Sequence, residues 1–166
     1  MAKKRGRRAD PALAERRREE ILVEATRFFA ENGYAATDLD RVAARLGVGK
    51  GTVYRYFPTK ERLFFAAADR AMNLLLAVVV GAVGGERDPL RRIESAIRHH
   101  LAWFDANPWA AELLIQERAN FRDRPKPTYF AHRDANLEPW AALLRGLIAA
   151  RRIRAIPIAR IVDVLS

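Results

Sequence analysis

Two short helical patterns joined by a glycine-containing turn constrain the fold of this chain more than any other feature. Residues 37–40 have the form of a capping box, with a carboxylate at its fourth position. The apolar residues that follow recur at spacing i, i+3, i+4 and i+7: Leu39, Val42, Ala43 and Leu46. Gly47-Val48-Gly49 ends this helix, and a second short helix is predicted over about 50–56. Two helices joined by so short a turn form a helix-turn-helix, in which glycine supplies the backbone freedom.

The second helix of this pair has a narrow apolar strip. At 100° per residue, Val53 and Phe57 fall together on one edge, and the other faces carry hydroxyls and cations. Such a helix suits the major groove of DNA, where its N-terminal residues meet base edges and its sides meet phosphates. Thr59 is predicted to cap the next helix. Lys60 and the free N–H groups of that helix start predict a second phosphate site.

The rest of the chain reads as helices separated by proline and glycine. Apolar periodicity predicts helices over about 14–32, 60–80, 89–106, 108–119 and 128–152, and an eighth that Pro157 opens. Pro139 should kink or divide the seventh. The apolar run Leu74–Gly85 has 12 residues, whereas a membrane span needs about 20, so we predict a buried helix end there. No segment has a convincing strand pattern, and the predicted class is all-α.

Composition narrows the possible functions. The net charge is +10, and its excess is densest in the first 60 residues, which favours a polyanionic partner. Residues 1–12 are predicted to be a disordered basic arm, able to follow a minor groove, without the apolar run of a secretory signal, so the cytoplasm is the expected location.

Catalytic and metal-binding patterns are missing from the sequence. The chain has no cysteine, no glycine-rich phosphate loop and no assignable Ser-His-Asp set. His99 and His100 are adjacent on a helix and therefore point about 100° apart, which is poor geometry for a metal. We therefore expect no enzyme activity, no metal site and no cofactor.

The helix-turn-helix region resembles a known family. The stretch "TDLDRVAARLGVGKGTVYRYFPTKERLF" (37–64) is similar to the signature of TetR (tetracycline-repressor-like) transcription regulators, above all in the Lys50–Tyr54 core and in Tyr56-Phe57. The upstream "ILVEATRFFAENGYAATDLDRVA" matches the family's first helix and its exit. The resemblance covers about residues 16–75. Gly49 departs from the more usual serine, which removes a capping hydroxyl and leaves the turn intact.

The resemblance implies a fold and a set of DNA contacts. The expected fold is a three-helix DNA-binding domain at residues 13–60, followed by a helical ligand-binding and dimerisation domain at residues 61–166. Positions near bases or the adjoining backbone are Lys50, Gly51, Thr52 and Arg55. Positions that contact phosphates are Thr37, Tyr54, Tyr56 and Lys60.

The resemblance also implies a homodimer on a palindromic double-stranded DNA operator, mostly acting as a repressor that a small molecule releases. Pockets for such effectors are largely apolar, so we expect a hydrophobic or aromatic effector. The candidate pocket residues are His100, Trp103, Phe104, Trp109, Phe121 and Trp140. The family dimerises through its last two helices, whereas this sequence stops one or two turns into the eighth. The expectation is therefore a bundle truncated at its last helices or a shorter dimer interface.

Two other functions fit part of the sequence. A non-specific architectural DNA-binding protein would share the charge and the arm, but it would not need a hundred further residues of apolar helices. A membrane-surface helix would explain the arginines of the first helix, but the glutamates interspersed with them oppose binding to an anionic membrane. We therefore expect no membrane partner.

Overall fold

The computed structural model describes residues 10–165, and within that range the chain is helical with no strand. This confirms the predicted all-α class. Most of the predicted arm, residues 1–9, lies outside the described residues. The helices are α1 Pro11–Ala36, α2 Leu39–Arg45, α3 Lys50–Tyr56, α4 Lys60–Val83, α5 Pro89–Ala106, α6 Pro108–Asn120, α7 Thr128–Ala135, α8 Leu137–Ala149 and α9 Ile158–Leu165.

Helix α1 starts three residues earlier than the periodicity indicated. Asp10 is its N-cap, and the carboxylate accepts a hydrogen bond from the backbone N–H of Ala12 at 3.0 Å. Pro11 occupies the first turn, where its missing N–H costs no hydrogen bond. Near the other end, Gly33 has φ +81° and interrupts the helical geometry, one residue after the predicted end of the helix at about residue 32.

The first of two compact units contains the helix-turn-helix. It comprises the described residues up to Ala71 together with Pro108–Arg122. Phe29 and Phe64 meet edge to face at its centre with ring centroids 5.0 Å apart, and both are fully buried. The Gln116 side chain of α6 donates to the backbone oxygen of Phe29 at 2.9 Å. These contacts hold α1, the start of α4 and α6 together, and α2 and α3 pack on the same core.

The second compact unit comprises Met72–Asn107 and the described residues from Asp123 onward. The predicted seventh helix is divided here into α7 and α8, with the break at Asn136. Pro139 explains the break, since it lacks an N–H and its ring clashes with the carbonyl four residues earlier. The boundary between the two units in the sequence falls within α4, between Ala71 and Met72, and again on either side of α6, which belongs to the first unit. The functional division proposed at residue 60 stays a prediction.

The second half of α4 corrects one expectation. Leu74, Val78 and Val80 are 39%, 40% and 55% exposed, so the run from Leu74 is not a buried helix end. Among the described residues, α4 is the one helix that passes a length and composition test for crossing a membrane. Its first half supplies Leu63 and Phe64 to the core of the first unit. Passing that test is therefore weak support for a membrane span.

Candidate nucleic-acid interface

The turn between α2 and α3 is a complete helix-ending motif. Gly47 has φ +63°, and its N–H donates to the oxygen of Ala44 at 3.1 Å. The N–H of Val48 donates to the oxygen of Ala43 at 3.0 Å. This pair of bonds is the Schellman arrangement, and it needs a left-handed residue that only glycine supplies without strain. Gly49 then caps α3 through its backbone alone, as expected from the missing serine.

Helix α3 exposes most of its surface. Val53 is fully buried and Phe57 is 4% exposed, which confirms the predicted apolar strip. The predicted contact residues divide into two groups by exposure. Lys50, Gly51, Tyr54 and Arg55 are exposed, whereas Thr52 and Tyr56 are half-buried. The guanidinium of Arg55 lies 5.1 Å from the centroid of the Tyr56 ring. The N-terminal turn and one side of α3 are therefore free to meet another molecule.

Lys50 is held by an acidic neighbour on α2. Its Nζ donates to Oδ2 of Asp40 at 2.6 Å, and it lies 5.5 Å from the centroid of the Tyr54 ring. The hydrogen bond with Asp40 raises the pKa of Lys50 above its usual value, so the ammonium stays charged. Sequence reasoning missed this pair, because the two residues are ten apart and belong to different helices.

Lys60 caps α1 in this structure. Its Nζ donates to the oxygens of Tyr34 at 2.9 Å and Ala35 at 3.1 Å, and it lies 4.6 Å from the Tyr34 ring centroid. A cation is favourable at a helix C-terminus, where carbonyl oxygens lack partners. The predicted capping of α4 is confirmed, because Thr59 Oγ1 accepts from the N–H of Arg62 at 3.1 Å. Lys60 thus stands beside a helix start, with two of its donors already in use.

The hydroxyl of Thr37, which was expected to contact a phosphate, is turned inward in this structure. It is 3% exposed, and its Oγ1 donates to the oxygens of Gly33 at 2.7 Å and Phe28 at 3.3 Å. The N-cap of α2 is Asp38 instead, whose carboxylate accepts from the N–H of Asp40 at 2.9 Å. The predicted capping box of residues 37–40 is therefore wrong, because the cap lies one residue later, where aspartate is also a favourable residue. Thr37 instead supports the end of α1.

Sequence reasoning overlooked the arginines of α2. Arg45 Nε lies 2.7 Å from a carboxylate oxygen of Glu24 on α1, and its guanidinium lies 5.1 Å from the Phe28 ring centroid. Glu24 is 8% exposed, so the pair is anchored at one end in the core. Arg41 also lies over Phe28, at 5.7 Å. The two arginines therefore help to hold α2 against α1.

A cavity of about 260 Å³ lies within the second unit. Of the six predicted pocket residues, His100 and Trp140 line it, and the other four do not. Sequence reasoning missed most of the wall, because helical phase does not reveal which helices face each other. The remaining lining residues are Met72, Leu75, Leu76, Val79, Ile93, Ala96, Ile97, Leu101, Tyr129, His132, Arg133, Asn136, Leu137 and Leu144.

The four other aromatic residues pack elsewhere. Trp109 and Phe121 belong to the first unit and pack against its core, where Phe121 lies 4.8 Å from Tyr34 between ring centroids. Trp103 and Phe104 lie in the second unit, 5.2 Å apart edge to face, and Trp103 is 8% exposed. These four residues therefore do not line this cavity, and their assignment to an effector pocket stays a prediction.

Two cavity residues have protonation states set by burial. Burial lowers the pKa of His100, which favours the neutral imidazole. Burial raises the pKa of Tyr129 and outweighs the opposite effect of Arg133, so the phenol keeps its proton. The His100 ring lies 6.3 Å from the Tyr129 ring and 5.3 Å from the Phe104 ring, between centroids. The wall therefore offers neutral hydrogen-bonding groups within an apolar surface.

Comparison with known proteins agrees with this geometry. The profile of "Bacterial regulatory proteins, tetR family" matches residues 21–67. The HTH-type transcriptional regulator HbdR of Aromatoleum sp. (strain CIB) is 28% identical over 113 residues, which is 68% of this chain and 49% of HbdR. The HTH-type transcriptional activator FasR of Mycolicibacterium smegmatis is 31% identical over 99 residues, 60% of this chain and 44% of FasR. The chain thus spans about half the length of these curated relatives.

Solved structures share the fold. The TetR family transcriptional regulator PfmR from Thermus thermophilus superposes with a TM-score of 0.70 at 27% identity, covering 87% of this chain and 79% of PfmR. AibR in complex with isovaleryl coenzyme A and operator DNA has a TM-score of 0.65 at 22% identity, covering 90% and 81%. The helix-turn-helix and these matches together show that residues 21–67 form a domain of the tetR family of bacterial regulatory proteins, and that the described chain shares its fold with solved structures of that family.

Proposed function

We propose that this protein is a repressor that binds a palindromic operator as a homodimer and leaves it when a small hydrophobic or aromatic effector binds. The observation that carries this proposal is that the first unit has an exposed polar helix and the second unit has an apolar cavity. In the first unit, α3 exposes cations and hydroxyls outside a narrow buried strip. In the second, a largely apolar cavity lies among α4, α5, α7 and α8.

The proposed DNA contacts follow the exposure of α3. Lys50, Gly51, Thr52 and Arg55 meet base edges or the adjoining backbone, because the N-terminal part of a recognition helix enters the major groove. Tyr54 and Tyr56 meet phosphates from the sides of the helix. Lys60 joins them through its remaining donor. Thr37 contributes through its support of α1, because its hydroxyl already donates to two backbone oxygens.

A dimer is proposed because one short helix reads only one half-site. Two-fold symmetric proteins of this kind place two recognition helices about 34 Å apart, and their operators share that symmetry. An architectural role would need neither symmetry nor a cavity. We place the protein in the cytoplasm, with the DNA it regulates.

The proposed switch is a shift between two populations of dimer. Effector binding favours a state whose recognition helices no longer match successive major grooves. Helix α4 is the coupling element, since it begins at Lys60 and supplies Met72, Leu75, Leu76 and Val79 to the cavity wall. The AibR structure, which holds both an acyl coenzyme A and operator DNA, supports the idea that one fold accommodates both ligands.

Selection of genomic fragments by the purified protein, followed by footprinting at physiological salt, tests this function. Salt matters because phosphate contacts release counterions. A protected inverted repeat with half-sites about one helical turn apart is the expected result. Uniform binding with no protected sequence would refute specific regulation and favour the architectural function.

A further inference from the structure

The polar groups of the cavity wall have a marked bias in charge. Among the residues that the structure describes, the wall contains one arginine, Arg133, and no aspartate, glutamate or lysine. The other polar residues are His100, Tyr129, His132 and Asn136, all able to donate a hydrogen bond. Because burial keeps His100 neutral and Tyr129 protonated, Arg133 is the permanent charge of this wall. No carboxylate residue of the described chain lines the wall to pair with a cationic ligand.

Arg133 is oriented by a neighbour that leaves part of its guanidinium unused. Its Nε donates to Oδ1 of Asp134 at 2.9 Å, and the guanidinium lies 4.9 Å from the Phe130 ring centroid. Asp134 is shared with Lys126, whose Nζ lies 2.7 Å from Oδ2. The hydrogen bond with Lys126 is the largest cause that lowers the pKa of Asp134, and the hydrogen bond with Arg133 is the next. Asp134 therefore stays ionised. Two cations around one carboxylate leave this cluster with a net positive charge.

The apolar part of the wall is extensive. Eleven of its sixteen residues are aliphatic, methionine or tryptophan, and they come from α4, α5 and α8. The polar residues other than His100 all come from α7 and the junction that follows it. A molecule that fills the cavity therefore meets hydrocarbon along most of its length and a polar region that includes Arg133 on one side.

We infer that the effector is a small organic acid: an alkyl or aryl body carrying one carboxylate that pairs with the guanidinium of Arg133. Arginine suits this role because its planar donors match the two oxygens of a carboxylate. Because Arg133 is positive, hydrophobic amines are excluded as effectors, and neutral amides should bind more weakly than the corresponding acids. This inference rests on the proposed function, because it identifies the chemistry of the ligand that the regulator senses.

The test compares three probes with the same apolar body and different head groups: octanoate, octanamide and octylamine. Binding of each to the full chain is measured by isothermal titration calorimetry without DNA. We expect octanoate to bind about tenfold more tightly than octanamide, as one charge-assisted hydrogen bond allows, and octylamine to bind most weakly. Equal affinities for the three probes, no binding of octanoate, or a preference for the amine would overturn the inference.

Two substitutions locate the effect. Arg133→Gln should bring the affinities for octanoate and octanamide together, and Arg133→Lys should retain a preference for the acid over the amine. Arg145→Gln is the matched control, because Arg145 pairs with Glu138 on the surface of α8 and does not line the cavity. A retained acid preference in Arg133→Gln would also overturn the inference. Since no DNA is present, a failed operator search leaves these ligand results intact.

Discussion

Substitution of Asp40 by asparagine should tighten DNA binding. In the structure, Asp40 holds the Lys50 ammonium at 2.6 Å, with the two side chains 44% and 62% exposed. An exposed ion pair of this kind contributes little to stability, and that contribution is lost when Lys50 turns to a phosphate or a base. Removing the carboxylate also removes one negative charge from the surface that we propose faces phosphates. We expect an affinity gain of about fivefold per protomer.

The salt dependence of binding separates this explanation from a general charge effect. Release of Lys50 to a phosphate should steepen the slope of log K against log salt by about 0.9 per protomer. Fluorescence anisotropy with a labelled duplex, over a series of salt concentrations, measures both quantities. Asp38→Asn is the matched control, since it removes the same charge nearby and asparagine caps a helix as well as aspartate. Equal gains in both variants, or an unchanged slope in Asp40→Asn, would refute release of Lys50 as the cause.

Four further substitutions test other parts of the structure. Lys50→Ala should weaken binding and alter base preference in a fragment selection, whereas Tyr54→Phe should weaken operator and random DNA to a similar extent; equal losses on both DNAs for Lys50→Ala would remove its base-reading role. Burial lowers the pKa of His100 in the folded protein. The neutral imidazole therefore contributes stability above the ordinary histidine pKa of about 6.5. This stability is lost as the pH falls through the lower pKa of the folded state. His100→Gln should therefore reduce the loss of stability seen by urea unfolding between about pH 7.5 and pH 5.5, and an unchanged pH profile would contradict this. Arg151 has φ +55° at the end of α8, where a non-glycine residue costs about 1 kcal/mol, so Arg151→Gly should raise the unfolding free energy by about that amount; a decrease would show that its side chain matters more than its backbone.

The sequence by itself determined the helices and the motif. Apolar spacing depends only on the 3.6-residue repeat, so it predicted the narrow strip of Val53 and Phe57 that the structure buries. Glycine and proline act through their own backbones, so the turn at Gly47 and the division before Pro139 were also readable from the sequence. The family resemblance rests on the same local stretch.

Only the tertiary structure decided which side chains meet. Lys50 pairs with Asp40 and Lys60 caps α1 because the packing of helices brings together residues 10 and about 25 apart in the chain. The residues of the cavity wall could likewise not be predicted from the sequence, because helical phase shows which residues share a face but not which helix packs against that face. Trp109 and Phe121 look like pocket residues by type, but the fold places them against the core of the first unit. Local periodicity determines the elements, and the choice among possible partners for each face is made by packing over the whole chain.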